Sequence, residues 1–525
     1  METLELLVGL LAAVAVVVRL AGRTAIPEPV LLVLAGLAVA LIPGLPQVEL
    51  DPQLILALFL PPLLYWAALH TDLGDLRRNL RPIALLAVGL VLATTAAVAW
   101  LGHAVLGLPL AVAVVLGAIV SPPDPVAAVA VAGRLGLPRR MVTILGAEGL
   151  FNDATALVLY RVAVAAAVSG TFSAGAAGVE LAVSAVGGTV AGLAVGFIGS
   201  RVLRRVSEAP VENTVKLLLP YVAWLAAERL HVSGVLAVLA CGLLMTRHWG
   251  SISSGARLQA RQLWDWLVFV LEGLSFVLVG VQLRTVVEGI EGRSVADLAL
   301  AALALNLVVI LVRLALVYPA SWLPRLSARV RERDPFPGWA FTTVVGWAGM
   351  RGVVTLALAL ALPAEVAGGG PFPDRNLVVF LAFSVIVVTL VGQGLTLPLV
   401  IRRLGVTADD EGSAGDGRRA LARLSEVALD HLDAIDPETD GVPGELVERL
   451  RERYRARLAH LDQQGDDGQP DGHRAYAGLV ADLLNLQREE LRRLHEQGRV
   501  TPEVARRLDH DLDVEEARLE RERPS

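Results

Sequence analysis

From Leu4 onward the chain alternates long apolar blocks with short polar connections, and the blocks have the length that lipid demands. A hydrocarbon core of about 30 Å takes roughly 20 apolar residues per helix. Blocks of this kind lie at 4–20, 25–42, 53–69, 82–102, 109–132, 142–168, 178–202, 213–229, 232–247, 264–285, 296–318, 338–363 and 376–402. The pattern predicts an all-α membrane protein of about 13 transmembrane helices over 1–404. After that point the pattern becomes polar. Helical stretches near 418–435, 443–462, 474–498 and 501–521, with Gly- and Asp-rich loops from Gly412 to Gly417 and from Gly465 to Gly472, predict a helical C-terminal tail over 405–525.

Basic residues orient the spans, because short connections carrying Arg and Lys stay on the cytoplasmic side. They cluster at Arg19/Arg23, Arg77/Arg78/Arg81, Arg134/Arg139/Arg140, Arg201/Arg204/Arg205/Lys216, Arg247/Arg257/Arg261, Arg325/Arg329/Arg331/Arg333 and Arg402/Arg403, in every second connection. Connections 43–52, 103–109 and 169–177 hold almost none. The N-terminus is therefore expected outside and the tail in the cytoplasm. The first block begins with Glu2 and Glu5 rather than a basic region and lacks a small-residue cleavage site, so it reads as a retained span.

Charge supports the same division. Of 52 acidic and 46 basic side chains, 29 and 18 fall in 405–525, leaving 23 and 28 in 1–404, so the tail carries about -11 and the membrane region about +5. A content of 54% hydrophobic residues and a mean hydropathy of +0.59 exclude one ordinary soluble enzyme. The single cysteine, Cys241, excludes a disulfide framework. Scattered histidines suggest no zinc site, no cofactor is expected, and the acidic tail argues against nucleic acid as a partner.

The chemistry lies where charge enters the apolar blocks, because a charged side chain at mid-membrane costs about 2.5–3.5 kcal/mol on insertion scales and faces a cavity or a partner. The fifth span contains Ser121-Pro122-Pro123-Asp124-Pro125. Three prolines remove backbone donors and clash with the preceding turn, so a continuous helix cannot form, and unwound backbone at this depth must be buried in protein or line a cavity. The sixth span carries Glu148, Asn152 and Thr155 on one stripe, with Asp153 about 100° round from Asn152. The twelfth carries Gly346, Gly349 and Gly352 around Arg351, and the eleventh holds Arg313.

Taken singly, a proline in a membrane helix is ordinarily a kink, and a glycine a place of close packing. Three carboxylates, two arginines and two broken helices at one depth point instead to a site. Glu148 reads as the buried partner of a cation, with Arg313 the first candidate and Arg351 the second. The broken spans run in opposite directions with seven segments between them, the mark of inverted repeats, segments 1–6 and 8–13. Such repeats place an ion site at the midplane and work by alternating access. A secondary transporter of cations is the reading that follows.

These residues resemble those of a known family, the monovalent cation:proton antiporters of the Na+/H+ exchanger type. The resemblance rests on Ser121 to Val126, on Glu148-Gly149-Leu150-Phe151-Asn152-Asp153, on the run Leu271 to Leu283 and on Gly349-Met350-Arg351-Gly352, and spans 1–404. It implies an electroneutral exchange of Na+, or of Li+ or K+, for protons across the plasma membrane in pH and sodium homeostasis. It further implies a homodimer in the lipid bilayer, each protomer with a mobile core of crossed broken helices. Asp153 matches the essential ion-binding carboxylate, Asn152 its partner, and Asp124 the acid of the unwound segment, so Na+ would meet Asp153 and Asp124. Glu148 matches the acid that pairs with Arg313; Pro123, Pro125, Arg351, Gly349 and Gly352 match the broken-helix site. Family members commonly have Thr at Pro123 and Ser at Gly149, so two side-chain oxygens are lost here.

Other classes fit less well. A channel would require a ring or carbonyl filter, and no Thr-Val-Gly-Tyr-Gly occurs. An intramembrane aspartyl protease would pair two aspartates, which Asp124 and Asp153 imitate, but its Gly-x-Gly-Asp element is missing from the spans. K+/H+ exchange, or transport of an organic ion on the same fold, is the closest alternative.

Overall fold

The computed structural model describes most of residues 2–408, apart from 25, 43–51, 72, 125–127, 130–136, 171–173, 207, 247–253, 283–285, 288–289, 291–292, 335 and 367–368 and the last two of the stretch. In the tail it describes chiefly 410–435 and 443–463. Two compact units emerge, Met1–Ala408 and Asp409–Ser525. Apart from one isolated bridge between Glu365 and Pro371, the described residues are helical or irregular.

The described helices of eight residues or more in the first unit follow the apolar blocks. They are α1 Glu2–Ala21, α2 Glu28–Ala40, α3 Pro52–Leu69, α4 Leu80–Ala104, α5 Leu110–Val120, α6 Arg139–Ser169, α7 Ala174–Leu203, α8 Ala209–Arg229, α9 Gly234–Thr246, α10 Ser254–Val281, α11 Val295–Trp322, α12 Trp339–Trp347, α13 Val353–Leu360 and α14 Arg375–Leu404. Among the described residues, six stretches, within α4, α6, α7, α10 and α14 and from α11 on to Leu326, are long and apolar enough to cross a membrane, and five further apolar helices are 10–17 residues long. The count of 13 crossings stays an expectation from sequence.

Residue size decides which helices touch. In lipid, association depends on close van der Waals approach and favours small residues. α2 and α10 meet where a Cβ on Gly36 would stand 2.2 Å from the Val277 carbonyl oxygen, and one on Gly280 would stand 2.3 Å from that of Val33. α7 and α9 are as close, a Cβ on Gly192 falling 2.0 Å from the Ala237 oxygen. The outward side of α7 stays apolar, with Val179, Val186 and Ile198 more than half exposed. That face suits hydrocarbon.

Two helices are not uniform. α4 contains a π-helical turn at Leu85–Leu90, and α14 contains one at Val388–Gln393. Such turns are rare, and at Thr389 this one serves the site described below.

One expected connection is corrected: Lys216 is no loop residue. It is buried in α8 and bound to Glu212 at i,i+4, with Nζ to Oε1 at 2.7 Å. A buried ammonium needs such a partner, and the helix supplies it one turn away.

In the second unit, α15 spans Asp410–Asp433 and α16 spans Gly444–Gln463, and they pack together. Arg451 of α16 donates to the Leu432 carbonyl at 2.8 Å, capping the end of α15. The Gly-rich stretch 412–417, expected as a loop, is helical. Glycine costs a helix about 0.5–1 kcal/mol per residue, and continuity with the packed part of α15 outweighs it. The helices expected at 474–498 and 501–521 lie for most of their length outside the described residues.

Candidate ion-binding site

Two helices end in mid-fold, and the site is built from their ends. α5 stops at Val120 and the chain runs irregularly through Ser121, Pro122, Pro123 and Asp124; α12 stops at Trp347, and Ala348 to Gly352 lead irregularly into α13. The prolines explain the first break. In the second, Gly349 and Gly352 allow contacts that no larger residue permits. A Cβ on Gly349 would meet Arg313 Cδ at 2.4 Å, and one on Gly352 would meet Asp124 Oδ2 at 1.6 Å. The segments cross and bond: Asp124 N donates to the Met350 oxygen at 2.7 Å.

A helix that ends leaves carbonyl oxygens without partners and a partial negative charge. Each break is capped by a buried guanidinium. Arg313 of α11 donates to the carbonyls of Gly346 (3.2 Å), Val345 (3.0 Å) and Ala348 (3.4 Å) at the end of α12. Arg351 reaches across to the end of α5, donating to Val120 O at 3.0 Å and Ser121 O at 3.3 Å, and also to Gly349 O. Its own amide donates to Thr389 Oγ1 at 3.0 Å, a hydroxyl presented by the π-turn of α14. Both arginines are 1% exposed.

α6 supplies the acids. Of the two candidate arginines, Arg313 is the one that reaches Glu148, in a two-pronged pair with Nη1–Oε1 at 2.5 Å and Nη2–Oε2 at 3.0 Å. One turn on, Asn152 donates from Nδ2 to the Pro123 carbonyl at 3.0 Å, tying α6 to the unwound segment, while its Oδ1 is buried without a partner. The next residue, Asp153, turns the other way. Its side chain lines a cavity of about 630 Å³, together with Asp124, Pro122, Gly149 and Gly352. The cavity extends to His70, Thr71 and Thr143, at the end of α3 and near the start of α6.

The structure thus gathers Asp153, Asn152, Asp124, Pro123, Arg351, Gly349 and Gly352 around the crossing, with Glu148 and Arg313 behind it. Pro125 lies outside the described residues. Asp124 and Asp153 are the acids expected from sequence to meet the ion, and oxygen donors of this kind suit hard cations. Sequence reasoning passed over Glu272 of α10 and Thr355 of α13, which line the same cavity. Glu272 stands inside the quoted run Leu271 to Leu283, where an acid in mid-span was the available signal. Arg161, further along α6, pairs with Glu228 of α8 at 2.5 Å.

Comparison with known proteins agrees with this architecture. The family described as sodium/hydrogen exchanger, transmembrane, matches residues 9–403. An uncharacterized Na+/H+ exchanger of Mycobacterium bovis is 38% identical, covering 98% of this chain and 96% of the relative. A sodium, potassium, lithium and rubidium/H+ antiporter of Bacillus pumilus is 34% identical, covering 88% and 70%. Among solved structures, the sodium proton antiporter MjNhaP1 from Methanocaldococcus jannaschii shares the fold, with a TM-score of 0.59 and 20% identity over 77% of this chain and 99% of that one. The chain belongs to the transmembrane sodium/hydrogen exchanger family, whose work is the transport of cations against protons and not an enzymatic reaction.

Proposed function

We propose that this chain exchanges a monovalent cation for a proton at Asp153, by alternating access across the plasma membrane. Asp124 and Asn152 complete the ion site. The Glu148–Arg313 pair and Arg351 hold the broken segments in place. The observation that carries this reading is a single cavity reaching Asp124 and Asp153 at the helix crossing.

The positive-inside pattern assigns the His70, Thr71 and Thr143 end of the cavity to the cytoplasm. On that assignment the site faces inward, with the N-terminus outside and the tail in the cytoplasm. A bare carboxylate is costly to move through a low-dielectric barrier, so Asp153 crosses carrying either a proton or a cation. That requirement couples the two fluxes without ATP. Asn152 is neutral and adds orientation but no charge, which supports one proton for each cation and an electroneutral cycle.

Selectivity among cations is proposed to be broad. Pro123 and Gly149 bring no side-chain oxygen to the ion, and the Bacillus pumilus relative is named for sodium, potassium, lithium and rubidium. A homodimer and a separate cytoplasmic domain over 405–525 belong to the same proposal, the first on the family resemblance and the second on the charge change and the unit beginning at Asp409.

The test is proton flux in proteoliposomes with a preset acidic interior. Addition of Na+, Li+ or K+ outside is expected to raise the internal pH, choline to do nothing, and an imposed voltage alone to have no effect. Silence to every alkali cation between pH 6 and 9 would overturn the reading. A response to K+ alone would assign potassium/proton exchange.

A further inference from the structure

The cavity has a second oxygen-rich wall that exchange at Asp153 does not use. Glu272, Ser275 and Phe276 of α10 lie at i, i+3 and i+4 on one face, and all three line it. α13, which packs against α10, adds Thr355. Thr355 is 1% exposed, yet its hydroxyl has no hydrogen-bond partner. A buried hydroxyl left so at a cavity wall is an open oxygen ligand. Ser275 donates its proton to Leu271 O at 2.6 Å, which leaves its lone pairs for another partner. No described cation pairs with Glu272, which lines the cavity from within the apolar stretch of α10.

Among the described residues, no three of His, Cys, Asp and Glu converge closely enough to hold one ion. Glu272 lines the cavity from α10, whereas Asp124 and Asp153 line it from the unwound segment and α6. We propose that Glu272, with the hydroxyls of Ser275 and Thr355, forms a second monovalent-cation site, a station from which the ion passes on to Asp153. One carboxylate and two neutral oxygens match a hard cation of single charge. The passage to Asp153 rests on the exchange reading above; binding at the station does not.

Equilibrium dialysis of the purified full-length protein against radioactive Na+ tests the station without transport. Asp153→Asn protein is expected to retain Na+ binding, and the added change Glu272→Gln to remove it, with Glu272→Asp restoring it. Asp153→Asn protein that holds no Na+, or a double variant that holds as much as the single one, would overturn the proposal. In proteoliposomes, Glu272→Gln should raise the half-maximal cation concentration about tenfold, the equivalent of a lost ligand, while the maximal rate stays within about twofold. Thr355→Val should move it in the same direction and Thr355→Ser should not. A lower maximal rate with unchanged half-maximal concentration would reduce Glu272 to a packing role. Should native vesicles exchange no cation, the exchange reading fails, and the dialysis still decides the station.

Discussion

Gly352 lies so close to Asp124 that a Cβ built on it would stand 1.6 Å from Asp124 Oδ2. The carboxylate of the first broken helix thus rests against the start of α13, where unsatisfied backbone amides favour negative charge. Gly352→Ala must push the carboxylate aside. Displacement of a reacting group by about 1 Å commonly costs about 100-fold in rate, and a loss of that order is expected in proteoliposome exchange. Gly9→Ala, where nothing lies within 4 Å, should leave the rate unchanged.

The Glu148–Arg313 pair is buried on both sides, with side-chain exposures of 2% and 1%. Breaking such a pair leaves an uncompensated charge and costs about 3–5 kcal/mol, whereas replacing both partners by apolar residues is often neutral. Glu148→Gln should therefore lower the Tm of the purified protein markedly. Glu148→Leu combined with Arg313→Met should recover only part of it, because the carbonyls of Gly346, Val345 and Ala348 lose their donor. Exchange is not expected to return, because Arg313 also caps α12.

Thr389 holds the second broken segment from behind: its hydroxyl accepts from Arg351 N at 3.0 Å and bonds Val385 O at 2.6 Å. Thr389→Val leaves a buried amide unpaired, at about 1–3 kcal/mol. Exchange should fall with it, and Thr389→Ser should preserve it. Equal activity of the two variants would show that the π-turn does not support the site.

Gly149 lines the cavity beside Asp153 without an oxygen of its own. Gly149→Ser supplies one. A lower half-maximal Na+ concentration, by roughly threefold to tenfold for one added ligand, is expected in the cation titration, with sharper preference among Na+, Li+ and K+.

Much of this was legible in the residues. Three prolines within four residues, at 122, 123 and 125, point to a break, although the pair Pro61-Pro62 sits inside the continuous α3, and a buried Glu148 demands a cation, which Arg313 provides. What escaped was pairing that depends on which helices adjoin. Lys216 reads as one more basic residue near a connection until α8 extends back to Ala209 and places Glu212 one turn away. Glu272 reads as part of a family run until α10 and α13 turn it toward the cavity. The π-turn at Val388–Gln393 left no local signature, since it answers to Arg351 of a distant segment.

The central claim is that one carboxylate, Asp153, carries proton and cation in turn. Cation-driven proton flux in acid-loaded proteoliposomes, native protein against Asp153→Asn, tests it directly. The account predicts that Na+ or Li+ restores the pH-dye signal with native protein and that the variant, folded to the same Tm, gives none. A variant that exchanges cations for protons at the native rate would contradict it.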